Sequence, residues 1–147
     1  MGKKAEQHYQ AALNIDLKHE HVHQYLSNLC TAAKLRHPSA IYTLSLFFQF
    51  GDMGLRQNLD LAERLRQISF KLNHPHAIYT YALDAFFKNK DSKLGLELLN
   101  RAQKCGSQAA LWHMSYFHAR GKFGCKHSRS LATFYKRQAE NGKFTII

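Results

Sequence analysis

His37-Pro38-Ser39-Ala40-Ile41-Tyr42-Thr43 returns as His74-Pro75-His76-Ala77-Ile78-Tyr79-Thr80, six identities in seven positions at an offset of 37 residues. Both prolines of the 147-residue chain lie in these two copies. A third, weaker copy sets Ala110 on Ala40 and Ala77, Trp112 on Tyr42 and Tyr79, and Gly121 on Gly51, 33 residues beyond the second. Self-similarity at 33 to 37 residues marks helix-pair solenoids, in which one unit cannot bury its apolar face except against its neighbours.

The local signals within each unit agree on two helices. Pro38 and Pro75 suit the first helical position, where the missing N–H has no partner to lose, and apolar residues follow for about three turns. Helix A is expected at 38–51, 75–88 and 107–120. Asn58, Asp91 and Ser128 share one repeat position as N-cap residues, and a small residue (Ala62, Gly95 or Ala132) follows each four positions later. Helix B is expected at 58–72, 91–104 and 128–141. Gly51, Gly54, Gly121 and Gly124 fall between the helices, while Gly106 and Gly142 close two of the B helices. Upstream, Glu6–Leu17 and Gln24–Arg36 read as two further helices. The chain divides as one domain, 1–147: an atypical N-terminal helical cap (1–36), repeats at 37–73, 74–106 and 107–142, and a tail at 143–147.

This pattern resembles the Sel-one-like repeat family, a relative of the tetratricopeptide repeats, over about residues 24–142. The first unit carries Ala40, Tyr42, Leu44, Gly51, Gly54-Leu55, Asn58 and Ala62; the third carries Ala110, Trp112, Met114, Gly121, Gly124-Cys125, Ser128, Ala132, Tyr135, Ala139 and Gly142. The middle unit matches at Ala77, Tyr79, Ala82, Asp91, Leu94, Leu98, Ala102 and Gly106. It departs where Ser45, Ala82 and Ser115 replace the helix A glycine, where Phe48, Ala85 and His118 replace the second tyrosine, and at Lys88. The resemblance implies an all-α, right-handed superhelical α-solenoid of about three antiparallel helix pairs behind the N-terminal cap, with the A helices on a concave face. It implies a protein-binding role and no catalytic residues.

Composition fits one globular domain, with 45% apolar and 12% aromatic residues. The net charge is +11, and residues 101–147 hold nine Lys and Arg against Glu140 alone. A basic end of this kind favours acidic partners, although charge runs also serve simply as solvated surface. The basic start runs into polar residues instead of an apolar h-region, so no signal peptide of the usual form is read. Cys30, Cys105 and Cys125 make an odd set without a CxxC pair, which fits reduced thiols in a cytoplasmic protein, each filling a small buried space.

Helix A carries more aromatic surface than inter-helix contact needs, so part of it faces outward. The candidate partner-binding residues are Tyr42, Phe50, Tyr79 and Phe87, then Trp112, His113, Tyr116 and Arg120, joined by Lys122, Lys126 and Arg129 in the basic last repeat. Stacking between repeats is an equal reading for Tyr42, Tyr79 and Trp112. The expected partner is a peptide or an acidic protein surface, met by a non-enzymatic adaptor, effector or inhibitor without a cofactor or metal. Two other readings stand beside it. One is association with nucleic acid through the basic end. The other is a small zinc-dependent hydrolase using His19, Glu20 and His23, a literal H-E-x-x-H whose flanks lack the usual third ligand. Phe144, Ile146 and Ile147 are expected to fold back as a minimal lid over the uncapped end of the last repeat, or that end is covered by a second copy or by the partner.

Overall fold

A computed structural model describes residues 2–15 and 21–142. His19 and Glu20 of the H-E-x-x-H match, and the tail residues Phe144, Ile146 and Ile147, lie outside the described residues. The described chain is all-helical: α1 (Lys3–Leu13), α2 (Val22–Lys34), α3 (Pro38–Phe50), α4 (Leu59–Lys71), α5 (Pro75–Phe87), α6 (Ser92–Lys104), α7 (Gln108–Arg120) and α8 (Arg129–Asn141). Each odd-numbered helix packs on the helix that follows it. The helices fall into two compact units, Met1–Leu72 and Asn73–Ile147.

The expected N-caps form as read: Asn58 Oδ1, Asp91 Oδ1 and Ser128 Oγ accept the backbone N–H of Leu61, Leu94 and Leu131 at 3.0, 2.9 and 3.3 Å. The small residue that follows each cap is buried in all three B helices. At the start of α3 and α5, however, the cap is an imidazole. His37 Nδ1 and His74 Nδ1 each accept from an alanine N–H, Ala40 and Ala77, at 3.3 Å, and Ser107 fills the same place before α7. Pro38 and Pro75 occupy the first helical turn, as their missing N–H predicts.

Two expectations are corrected. The first helix spans Lys3–Leu13, not Glu6–Leu17, because Gly2 in an extended conformation starts it and Asn14 closes it. In the N-terminal segment α1 packs on α2. Cys30 is exposed, because the buried face of α2 is set by Tyr25, Leu29 and Ala32, and position 30 falls outside that stripe. Among the glycines, Gly51 and Gly121 end α3 and α7 in the left-handed region at φ +68° and +60°, whereas Gly142 closes α8 at φ −57°. The chain also makes left-handed closures without glycine, at Arg36 (φ +64°) and Asn73 (φ +60°), which stand in repeat register with Gly106.

The core of the first unit joins Tyr9 and Ala12 of α1 to Tyr25, Leu29 and Ala32 of α2 and Ala40 and Leu44 of α3. In the second unit Phe86 and Phe117 are 2% and 1% exposed, with ring centroids 5.1 Å apart in an edge-to-face contact. Burying two such rings stabilises the unit by about 2–3 kcal/mol each before ordering costs. The serines replacing the helix A glycine are satisfied internally: Ser45 Oγ donates to the Tyr42 carbonyl at 2.6 Å, and Ser115 Oγ to the Ala132 carbonyl at 2.8 Å. No buried side-chain polar atom of the described residues lacks a partner. No helix among them is long and apolar enough to cross a membrane.

Candidate functional site

The aromatic residues of α5 and α7 divide by helical phase. Phe86 and Phe117 turn into the second unit, while Phe87, Trp112 and Tyr116 stay 54%, 43% and 45% exposed. The exposed three meet at one cleft of about 420 Å³ that also takes in His113, Phe117, Lys122 and Phe123. Three chain segments build it: the last turn of α5, the outer face of α7 and the turn after α7.

Phe123 closes one side of the cleft. Its backbone is left-handed at φ +53°, and its ring stands 4.8 Å from both Phe86 and Phe117 and 5.8 Å, edge-on, from Phe87. An aromatic residue holds this disfavoured conformation because its ring contacts with buried neighbours outweigh a backbone cost of about 1–3 kcal/mol. On the rim, Arg120 Cζ lies 5.2 Å from the Tyr116 ring centroid and Lys122 Nζ 5.6 Å from it. Among the described residues neither cation has a carboxylate partner; Asp84 pairs with Lys88 at 2.8 Å and Glu140 faces Lys136 at 3.8 Å.

His113 is fixed from below. Its Nδ1 lies 3.2 Å from the Ala109 carbonyl and 3.2 Å from Tyr79 Oη. A carbonyl only accepts, so Nδ1 carries the proton and shares it between the two oxygens. The Tyr79 and His113 rings also meet edge-on at 5.4 Å, and burial holds the Tyr79 phenol above its usual pKa. Tyr79 thus braces α7 through His113.

Of the eleven candidate residues, Phe87, Trp112, His113, Tyr116 and Lys122 line the cleft, with Arg120 on its rim and Tyr79 behind it. Lys126 and Arg129 are exposed and line a different place or none: Arg129 borders an open depression of about 440 Å³ on α8, with Ser130, Thr133, Phe134 and Arg137. Tyr42 and Phe50 belong to the first unit, Tyr42 half-buried with its phenol pushed up by burial and Phe50 70% exposed. Phe117 and Phe123 are the cleft residues that the candidate set omits. Phe123 had one readable signal, an apolar residue directly before Gly124, in the place that Met53 takes before Gly54.

Among the described residues no three His, Cys, Asp or Glu side chains gather as a metal site, and His23 is exposed at the start of α2. Burial raises the Cys125 thiol, which moves it away from nucleophilic thiolate chemistry. Apolar shape and positive charge are what this arrangement offers.

No protein-family model matches the chain, and no curated protein matches it at a significant level. Solved structures do. A Sel1 repeat protein from Oxalobacter formigenes superposes with a TM-score of 0.66 at 16% identity, covering 93% of this chain and 56% of that one. A protective antigen of uropathogenic Escherichia coli with the same repeat fold gives a TM-score of 0.62 at 17% identity over 92% of this chain and 30% of that one. An immunity protein from Pseudomonas aeruginosa gives 0.60 at 14% identity over 95% and 66%. The present chain therefore has the Sel1-like repeat fold, and it spans about half or less of the first two proteins' lengths.

Proposed function

We propose that the protein is a non-enzymatic interaction module that binds an acidic segment or surface of another protein through the cleft of residues 73–147. The single observation that carries this reading is the convergence of Phe87, Trp112, Tyr116 and Phe123, from three chain segments, on one apolar cleft with a cationic rim. Phe86 and Phe117 make the buried contact between α5 and α7, which leaves the exposed surface of Phe87, Trp112 and Tyr116 open to a partner. Large, stiff aromatic side chains around a concave site are the common energetic anchors of protein recognition. The excess of basic over acidic residues in 101–147 supplies the preference for acidic partners, chiefly by steering encounter. Adaptor, effector and inhibitor roles all rest on a contact of this kind.

Capture of partners from a cell extract on immobilised protein, followed by mass spectrometry, tests the proposal. The Phe87→Ala, Trp112→Ala double variant is expected to keep its helical circular dichroism, since both side chains are exposed, and to lose partner affinity by about a hundredfold. Unchanged capture by the double variant would refute the cleft as the binding site. Binding that instead falls by several decades between low and moderate salt, and is abolished by nuclease, would identify a nucleic-acid partner.

A further inference from the structure

The rim of the cleft holds two cations on one ring. Arg120 and Lys122 both lie within cation–π range of Tyr116, at 5.2 and 5.6 Å. Gathering two like charges on one ring is unfavourable by itself, and no carboxylate of the described residues relieves it. A guanidinium held near a ring by its charge keeps N–H groups to donate, in a fork that matches a carboxylate. The cleft below these charges is apolar, and at about 420 Å³ it lies at the lower end of ligand-pocket sizes, with room for one or two large side chains and none for a whole helix face.

Resting on the binding reading above, we infer that the cleft recognises a two-part element in an extended peptide: a large apolar side chain, best an aromatic one, seated against Phe87, Trp112 and Phe123, and an Asp or Glu carboxylate within one or two residues of it, bridging Arg120 and Lys122. The carboxylate neutralises the cation pair, and the apolar side chain removes exposed aromatic surface from water. Each half binds weakly alone, and linking them in one segment raises the effective concentration of the second. Stacked nucleobases fit this site less well. Two cations already lie 5.2 and 5.6 Å from the Tyr116 centroid, and Phe87 meets Phe123 edge-on at 89°, so these rings do not form a parallel stacking platform.

Trp112 is the only tryptophan of the chain and lines the cleft, so its fluorescence reports occupancy directly. The whole protein is titrated with an N-acetylated, C-amidated Gly-Asp-Phe-Glu-Gly peptide, with its Asn/Gln counterpart, with its Ala-for-Phe counterpart, and with single-stranded oligouridylate. The acidic aromatic peptide is expected to bind about tenfold more tightly than either counterpart. In the exposed Arg120→Gln, Lys122→Gln double variant, checked for an unchanged melting temperature, the acid and amide peptides should bind equally. Equal binding of acid and amide peptides to the unaltered protein would overturn the inference while leaving the cleft a binding site. Oligouridylate binding as tightly as the acidic peptide would overturn it too. A Trp112 signal that no peptide moves also ends it; the broader reading then stands or falls on partner capture by the Phe87→Ala, Trp112→Ala variant.

Discussion

A methyl group on Gly95 would stand 2.7 and 2.8 Å from carbons of the Phe86 ring, inside any real carbon–carbon contact. Ala62 and Ala132 fill the same repeat position on α4 and α8, so repeat register alone makes Gly95→Ala look harmless. Helix propensity even favours alanine, by about 1 kcal/mol. Phe86 reverses that sign: it is buried and held at 5.1 Å by Phe117 and at 4.8 Å by Phe123, and so has nowhere to move. Gly95→Ala is therefore expected to destabilise the protein by about 1–3 kcal/mol, read as a lower denaturant midpoint. Adding Phe86→Leu should recover part of the loss, and a simple sum of the two single effects would show that the contact does not govern the site. The substitution should disturb the cleft as well, because Phe86 backs Phe123.

At the scale of elements, α1 and α3 are joined by one side chain that performs three tasks. His37 Nδ1 caps α3, its Nε2 lies 2.9 Å from Glu6 Oε2, and its ring stacks on Tyr9 with centroids 4.2 Å apart. With Nδ1 accepting from Ala40, the proton sits on Nε2 and is donated to the carboxylate. His37→Ser, which copies Ser107, is expected to keep the cap but lose the link to α1, whereas His37→Ala loses both and costs about 1 kcal/mol more in thermal or denaturant unfolding. Equal losses in the two variants would mean that the cap contributes nothing. Hydrogen bonds from Gln10 and then His37 hold the Glu6 carboxyl below its ordinary value of 4.5, against a smaller opposing effect of burial. A carboxyl lowered in the folded state protonates first in the unfolded chain. Its contribution is therefore full above pH 4.5 and is lost as pH falls through the folded value. Glu6→Gln should flatten this part of the acid limb of a stability–pH curve, and an unchanged acid limb would show that the contact carries no net energy.

Across the whole molecule the same linkage acts at the alkaline end. Burial pushes the phenols of Tyr9, Tyr25 and Tyr42 in the first unit, and of Tyr79 in the second, above the ordinary value of 10.0. The unfolded chain then loses these protons first, so stability is full below pH 10 and declines as pH rises through the folded values. Unfolding followed by tyrosinate absorbance should turn steeply alkali-sensitive, and replacing Tyr9 by Phe should ease it; no change on that replacement would count against the burial argument. What the sequence determined by itself is the local and periodic part of this protein: the all-helical class, the repeat at 37 and 33 residues, and the caps at Asn58, Asp91 and Ser128, because backbone satisfaction and helical phase depend on residues a few positions apart. Its composition likewise showed an aromatic surplus on the A helices. Only the tertiary structure decided which rings are spent on the core and which line a site. Phe86 and Phe87 are neighbours in sequence and opposites in burial, and Phe123 enters the cleft from a turn that carries no helical period. The caps at His37 and His74 stayed hidden for a related reason. Histidine is not a usual cap residue, and at His37 the cap is held in place by Glu6 and Tyr9, some thirty residues upstream. Long-range contacts of this kind follow from how helix faces meet, which no window along the chain contains.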